Sequence, residues 1–216
     1  LALGALSFWI LRESQIWKQL KDSGERHNVR QSLKEHRSQL INGSIVFGSL
    51  LIGLWAVFSW IPTWVQSLLP SGSDGQRERG LSMMLLGVGG LSGGFVSGWV
   101  SDALGTRKAM LLCFGGCFVL SCLLFKVNSS FNTVTVVEIA MLSFTFGISQ
   151  GLLSGFIPQL FPVSIRGMAT GFCFNVGRFF TAAVVFFVGA LVSTRGGYGN
   201  SLFTFSFVFL LGFSIL

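Results

Sequence analysis

The chain has 216 residues, of which 51% are hydrophobic and 11% are charged, whereas an average soluble domain has about 25% charged residues. The charge is also uneven, because 11 of the 23 charged residues lie between Arg12 and Arg37 and only 12 lie in residues 38–216. So few charges cannot cover the water-facing surface of a soluble protein, and the composition favours a polytopic membrane protein.

The apolar segments predict membrane helices along the whole chain. Residues 1–11 match the end of a helix whose beginning precedes the chain, and residues 12–40 form a polar, basic segment that includes an amphipathic stretch. At 1.5 Å per residue, segments of about 20 apolar residues cross the hydrocarbon, and the last segment would be completed by residues beyond the chain. The predicted spans are 41–65, 81–100, 109–125, 133–159, 168–192 and 201–216.

The basic residues of the connections are distributed unequally between the two sides of the predicted bundle. Ten of them lie in the first, third and fifth connections, against four in the alternate connections. Because basic residues accumulate in cytoplasmic loops, this distribution predicts that the long segment 12–40 is cytoplasmic. The net charge of +7 is therefore interpreted as a topology signal, and no nucleic-acid partner is predicted. The four basic residues of the opposite side are Arg77, Arg79, Lys126 and Arg195.

The sequence offers no pattern typical of an enzyme. The two histidines, His27 and His36, lie in the basic segment without a metal-ligand partner at helical spacing, and neither a nucleophilic serine motif nor a pair of acids is present. All four cysteines lie inside apolar spans, where they are interpreted as small apolar side chains. We therefore predict neither a catalytic site nor a metal or other cofactor.

Polar residues within the predicted spans are functional candidates, because a charge in hydrocarbon costs about 3 kcal/mol or more unless it faces protein or water. Arg178 lies near the middle of its span, and Glu138 lies near the outer end of another. Gln150 and Asn175 are amides at membrane depth, where each needs a partner on a neighbouring helix or on a ligand.

Small residues form two adjacent rows on the span 81–100. The rows permit close helix packing, and static packing and a sliding contact are both compatible with them. A short turn with one acid and two basic residues, at Asp102, Arg107 and Lys108, follows this span. An acid in that position can pair with a basic residue in one conformation and release it in another. The two rows are Gly89, Gly93, Ser97 and Gly90, Gly94, Gly98.

Three motifs in chain order resemble signatures of the major facilitator superfamily of secondary transporters. GWVSDALGTRKAM, residues 98–110, resembles the loop between the second and third helices of each six-helix half, although Ala103 and Thr106 replace its usual basic residues. QLFPVSIRGMATG, residues 159–171, is similar to the loop between helices 10 and 11, with Gln159 in place of Glu. RESQIW, residues 12–17, is a weaker match to the segment after helix 6, and the run GFCFNVGR, residues 171–178, is similar to members that transport organic acids and sugars.

The resemblance implies an all-α bundle that forms the second six-helix half of a major facilitator fold. Residues 1–11 would then be the end of helix 6, residues 12–40 the central cytoplasmic loop, and residues 41–216 helices 7 to 12, with the last one truncated. In this family the solute binds at the midplane between two halves that rock to give alternating access. Helices 7, 8, 10 and 11 would line the cavity, and helices 9 and 12 would face lipid or scaffold.

The resemblance, combined with depth in the membrane, selects the candidate site residues. Trp55, Trp60, Gln150, Asn175 and Arg178 are expected to bind substrate, although an aromatic belt at the membrane interface also explains Trp60, and helix-to-helix hydrogen bonds also explain the amides. For Arg178 the alternative is a structural bond to backbone carbonyls or to an acid of the missing half.

Two further sets of residues receive predicted roles. Asp102, Gly105, Arg107 and Arg166 are expected to form a cytoplasmic gate, and solvated loop charges are the alternative. Glu138 is the candidate for proton coupling, because partial desolvation favours its protonated form, and a hydrogen-bonded structural acid is the alternative.

The predicted function is therefore part of a secondary active transporter for a small polar solute, an organic acid or a sugar, with a possible coupled proton. Its partners would be the lipid bilayer and a missing N-terminal half, and its location the bacterial inner membrane. The chain alone is not expected to transport. A non-transporting scaffold or signalling bundle is the alternative function.

Overall fold

The computed structural model describes residues 29–216, which fold into helices and short connections and contain no β-strand. The all-α membrane bundle predicted from the sequence is thereby confirmed. The α-helices of this described part are α1 (Val29–Glu35), α2 (Arg37–Ile52), α3 (Ile61–Ser67), α4 (Gln76–Leu104), α5 (Thr106–Val127), α6 (Thr133–Gln159), α7 (Arg166–Phe186), α8 (Val188–Thr194) and α9 (Tyr198–Ile215).

Six helical stretches within residues 29–216 are long and apolar enough to cross a membrane. Two of them combine elements: the first span, Arg37–Ser67, includes α2 and α3, and the fifth, Arg166–Thr194, includes α7 and α8. Each predicted apolar segment falls within one of these stretches, apart from Leu216 at the end of the last. The predicted partial helix 1–11 and the motif at residues 12–17 lie outside the described residues.

The first span is not a regular α-helix throughout. A π-helical turn over Gly53–Val57 and a 3₁₀ turn over Phe58–Trp60 separate α2 from α3. Pro62 lies in the first turn of α3 and has no backbone N–H, so the carbonyl of Phe58 receives no α-helical hydrogen bond from it. Within the π turn, Trp55 is 51% exposed and its neighbour Ala56 is fully buried.

The six spans pack as two sets of three with the same pattern. In one set, the first span packs against both α7 and α9. In the other set, α6 packs in the same way against both α4 and α5. Three membrane crossings separate the equivalent helices, so the two sets run in opposite directions, which defines an inverted repeat. The first span and α6 are therefore central, α5 and α9 pair with each other beside them, and α4 and α7 are the least buried spans.

Glycines bring α4 and α6 into backbone contact. A Cβ atom added at Gly93 would overlap the carbonyl oxygen of Phe144, and one added at Gly147 would overlap the carbonyl oxygen of Gly90. No atom lies within 4 Å of a Cβ added at Gly98, which is exposed. Of the two rows of small residues, the one formed by Gly89, Gly93 and Ser97 is therefore a packing surface, and the adjacent row is only partly covered.

We expect Gly93→Ala to destabilise the bundle by about 1–3 kcal/mol, because the added methyl group forces two backbones apart. The matched control is Gly80→Ala on the same helix, outside the predicted span 81–100, which should be neutral or slightly stabilising because the site is open and alanine favours helix. Thermal unfolding of the complete protein in detergent measures both effects. Equal midpoints for the two variants would contradict the packing assignment.

Candidate functional site: a groove between three spans

A groove of about 390 Å³ opens where the first span, α4 and α6 meet. The rings of Phe58 and Phe146 form part of its wall, with centroids 4.4 Å apart, and Gly90 and Gly147 bring backbone to its surface. Aliphatic and aromatic side chains predominate, as in most small-molecule sites. The groove is lined by Leu54, Trp55, Phe58 and Ser59 from the first span, Leu86 and Gly90 from α4, and Ser143, Phe146, Gly147 and Gln150 from α6.

Some polar groups of this groove already form hydrogen bonds within the protein, and others have no partner there. The Ser143 hydroxyl donates to the carbonyl of Leu85 at 3.0 Å, and the Ser59 hydroxyl donates to the carbonyl of Trp55. The carboxamide of Gln150 and the indole N–H of Trp55 have no hydrogen-bond partner among residues 29–216. A ligand in the groove can therefore use one amide and one indole donor, beside an aromatic surface.

Trp60 lies outside the groove, although it was predicted to bind substrate together with Trp55. Its ring stacks on Tyr198, with centroids 5.9 Å apart, and packs at the edge of the hydrophobic core. Trp55 and Trp60 are five residues apart, which is about 140° around a regular α-helix, so helical periodicity already places them on different faces of the first span. The structure thus brings together Trp55 and Gln150, and leaves Trp60 near the start of α9.

Asn175 and Arg178 lie on α7, which does not line the groove. This helix packs on α2 through a buried row of small side chains, and both polar residues are exposed on its other faces. Neither side chain has a hydrogen bond or an ion pair with any described residue. Arg178 lies eleven residues after Gly167, about 16 Å along the helix, which places an unpartnered guanidinium near the middle of the span. The buried row consists of Ala169, Cys173, Gly177 and Thr181.

The predicted gate begins at the tight turn between α4 and α5. Gly105 adopts φ 80°, a left-handed conformation that favours glycine, and its N–H donates to the carbonyl of Ser101 at 2.8 Å. The hydroxyls of Ser101 and Thr106 are 2.8 Å apart and form a hydrogen bond across the turn. Thr106 thereby stabilises the turn at a position where the family signature has a basic residue.

The charged members of the predicted gate do not contact one another in this structure. Asp102 is exposed and has no ion pair within the described part of the chain. Arg107 donates to the carbonyl of Leu216, and Arg166 donates to the carbonyl of Phe161 at 3.3 Å. A gate that pairs Asp102 with either arginine would therefore form in a different conformation, and it stays a prediction.

Glu138 belongs to a network of polar side chains at the start of α6. Its carboxylate accepts a hydrogen bond from Asn128, whose carboxamide oxygen in turn accepts one from Thr135 at 3.1 Å. Asn132 caps α6 by accepting from the N–H of Thr135, also at 3.1 Å. These contacts give the acid a structural role in the connection between α5 and α6, and its proposed protonation stays a prediction.

The sequence profile of the Major Facilitator Superfamily matches residues 1–184. The chain belongs to the major facilitator superfamily. This membership agrees with the six apolar spans and with their inverted repeat, which is a feature of each half of these transporters. No solved structure matches the chain significantly.

Several characterised members of the superfamily are similar to this chain. The cis,cis-muconate transport protein of Acinetobacter baylyi is 26% identical over 88% of the chain and 47% of its own length. The sialic acid transporter NanX of Escherichia coli is 28% identical over 97% of the chain and 53% of its own length. The gallate transporter of Pseudomonas putida is 25% identical over 73% of the chain and 36% of its own length. The chain therefore spans about half the length of the first two relatives.

Several residues that line the groove were not predicted from the sequence as site residues. Phe58, Ser59 and Phe146 are ordinary members of apolar segments by composition, and Gly90 could not be assigned to packing or to a cavity. One signal was present: Gly53 and Pro62 bracket the irregular stretch, and interrupted helices mark binding sites in several families of secondary transporters.

We expect Trp55→Ala to raise the apparent KM for transport by the complete protein about tenfold, which corresponds to about 1.4 kcal/mol of binding free energy. The indole is half exposed in the groove, so its loss removes a ligand contact without opening the core. Trp60→Ala is the matched control, because its stack on Tyr198 contributes to stability outside the groove. Initial rates of uptake over a range of solute concentrations measure both variants, and an equal rise in Trp60→Ala would return Trp60 to the site.

Proposed function

We propose that the complete protein is a secondary active transporter for a small carboxylic acid, working by alternating access. Residues 41–216 would form the second six-helix half, residues 1–11 the end of helix 6, and residues 12–40 the central cytoplasmic loop. Membership of the superfamily supports the transport role, and relatives named for muconate, sialic acid and gallate support an acid as solute. An uncharged sugar and a non-transporting scaffold are the weaker alternatives.

Arg178 is the single observation that best supports an acidic solute. A guanidinium near mid-span costs about 3 kcal/mol or more in hydrocarbon, and on this bundle it is exposed without a partner among the described residues. Its surroundings in the working protein must therefore be water, a partner surface or a ligand. A carboxylate matches the guanidinium fork and forms two parallel hydrogen bonds with it.

The exposed surfaces of α4 and α7 support a missing second half. They are the two least buried spans, and bulky apolar side chains project from them, including Phe95 at 82% exposure and Phe179 at 73%. A second bundle that packs along both helices would enclose the groove of Trp55 and Gln150 between the halves. In this arrangement Arg178 and Asn175 bind the carboxylate, and the groove binds the remainder of the solute.

Orientation and coupling complete the proposal. The excess of basic residues in alternate connections supports a cytoplasmic location for the segment 12–40, and the bacterial relatives support the inner membrane. Glu138, whose carboxylate accepts a hydrogen bond from Asn128, is the proposed site of a coupled proton.

We expect Arg178→Lys to raise the apparent KM for an acid about tenfold or more, because lysine keeps the charge and loses the bidentate fork. Uptake of radiolabelled muconate and gallate into vesicles containing the complete protein provides the test. The matched control is Arg77→Lys, which should leave KM unchanged because Arg77 is exposed in the first turn of α4, outside the groove.

Two outcomes of this experiment would contradict the proposal at different points. Saturable uptake with a normal KM in Arg178→Lys would remove Arg178 from the solute site while the transport role stands. The absence of saturable uptake of any acid tested, with the protein folded by circular dichroism, would count against the acid as solute.

Asp102→Asn is expected to slow turnover several-fold with little change in KM, if Asp102 pairs with a basic residue in one conformation of the transport cycle. Since the carboxylate is exposed and unpaired here, the substitution should not alter stability. Asp74→Asn, in the connection at the other end of the bundle, is the control. Exchange of labelled solute across vesicles separates turnover from binding, and an unchanged exchange rate would remove Asp102 from the gate.

A further inference from the structure

A second recess lies away from the groove, at the ends of α5, α8 and α9. Its volume is about 360 Å³, and the pair α5 and α9 that forms most of it packs on the central helices rather than beside α4 and α7. These two helices are the ones expected above to face lipid or scaffold, so we expect the recess to be accessible from the lipid. The recess is lined by Lys126, Arg195, Asn200, Phe203, Thr204 and Phe207.

Two positive charges converge in this recess without a compensating acid among its lining residues. The ammonium of Lys126 donates to the carboxamide oxygen of Asn200 at 3.0 Å and lies 4.5 Å from the centroid of the Phe203 ring. The carboxamide nitrogen of Asn200 donates to the backbone carbonyl of Arg195 at 3.2 Å. Asn200 thus bonds to the Lys126 ammonium and to the backbone of Arg195, and the Arg195 guanidinium has no partner within residues 29–216.

The location of these two residues is unusual for their charge. The connections on this side of the bundle contain only four basic residues, against ten on the opposite side, and two of the four meet here. Basic residues generally accumulate in cytoplasmic connections, so an anionic ligand gives a physical reason for the presence of Lys126 and Arg195 on the opposite side.

An aromatic strip continues from the recess towards the middle of the membrane. Phe207 is 48% exposed and makes edge contacts with Phe203 and with Phe118, each with centroids 5.3 Å apart. Phe118 lies eight residues before Lys126 on α5, about 12 Å deeper along the helix. A ligand that fits both parts has an anionic head near the membrane surface and an apolar chain below it.

We propose that this recess binds an anionic phospholipid, with its phosphate on Lys126 and Arg195 and an acyl chain along Phe207 and Phe118. Both cations have free N–H donors for phosphate oxygens, and charge-assisted bonds of this kind are the strong ones. Basic pockets between membrane helices on the cytoplasmic side bind lipid head groups by the same chemistry, and this recess would do so on the other side. The site is independent of the transported solute.

Native mass spectrometry of the complete protein with equal amounts of phosphatidylglycerol and phosphatidylcholine tests the proposal. We expect Lys126→Gln combined with Arg195→Gln to lower the ratio of bound anionic to zwitterionic lipid about tenfold. The matched control, Arg77→Gln combined with Arg79→Gln, removes the same charge from the same side outside the recess and should keep the ratio. Lys126→Arg combined with Arg195→Lys should also keep it, which separates loss of the site from loss of folding.

Three results would overturn the assignment. One is an equal loss of preference in the Arg77 and Arg79 control, which would indicate a general effect of charge. Another is an unchanged ratio in the Lys126 and Arg195 glutamine variant. The third is binding of inorganic phosphate to the protein in pure phosphatidylcholine nanodiscs that depends on Lys126 and Arg195, which would show that the ligand is a free anion.

Discussion

Close backbone packing between flanking and central helices is the constraint on which the rest of this bundle depends. Gly93 contacts the backbone of α6 so closely that even a methyl group has no room, and at the symmetry-related contact a Cβ on Gly48 would lie 3.4 Å from the Cα of Gly177. In hydrocarbon, where apolar side chains gain little by leaving lipid for protein, such close contacts provide much of the association energy. They fix α4 and α7 to the central helices by one face and leave their other faces uncovered.

The uncovered faces leave two sets of polar side chains open on this bundle. The groove with Trp55 and Gln150 lies beside α4, whereas Arg178 and Asn175 lie on α7, and both polar sets are open on the same isolated half. Water, a partner surface or a ligand must satisfy these groups, because polar side chains exposed to lipid are energetically costly.

The sequence predicted those features that depend on average hydropathy or on a local motif. The spans are averages of hydropathy over about 20 positions, and the turn at Gly105 follows from one residue type in a short motif, so both were accessible. The assignment of Trp55 and Trp60 to one site was less successful, because residues five apart lie about 140° from each other around a regular helix and so seldom share a face. The sequence also did not predict that Asn128 would bond to Glu138 or that Lys126 would lie beside Arg195, since these contacts depend on how two helices pack.

The irregular stretch Gly53–Trp60 divides the first span into two pieces that belong to different neighbours. Its α2 half packs on α7, with the ring centroids of Phe47 and Phe174 4.3 Å apart. Its α3 half packs on α4, and Trp64 in this half lies edge-on to Phe125 of α5, with centroids 5.1 Å apart. A helix with unbroken register would transmit any tilt of one neighbour to the other. Here the joint between the pieces lies in the wall of the groove, so a difference in tilt between the two pieces would change the width of the groove itself.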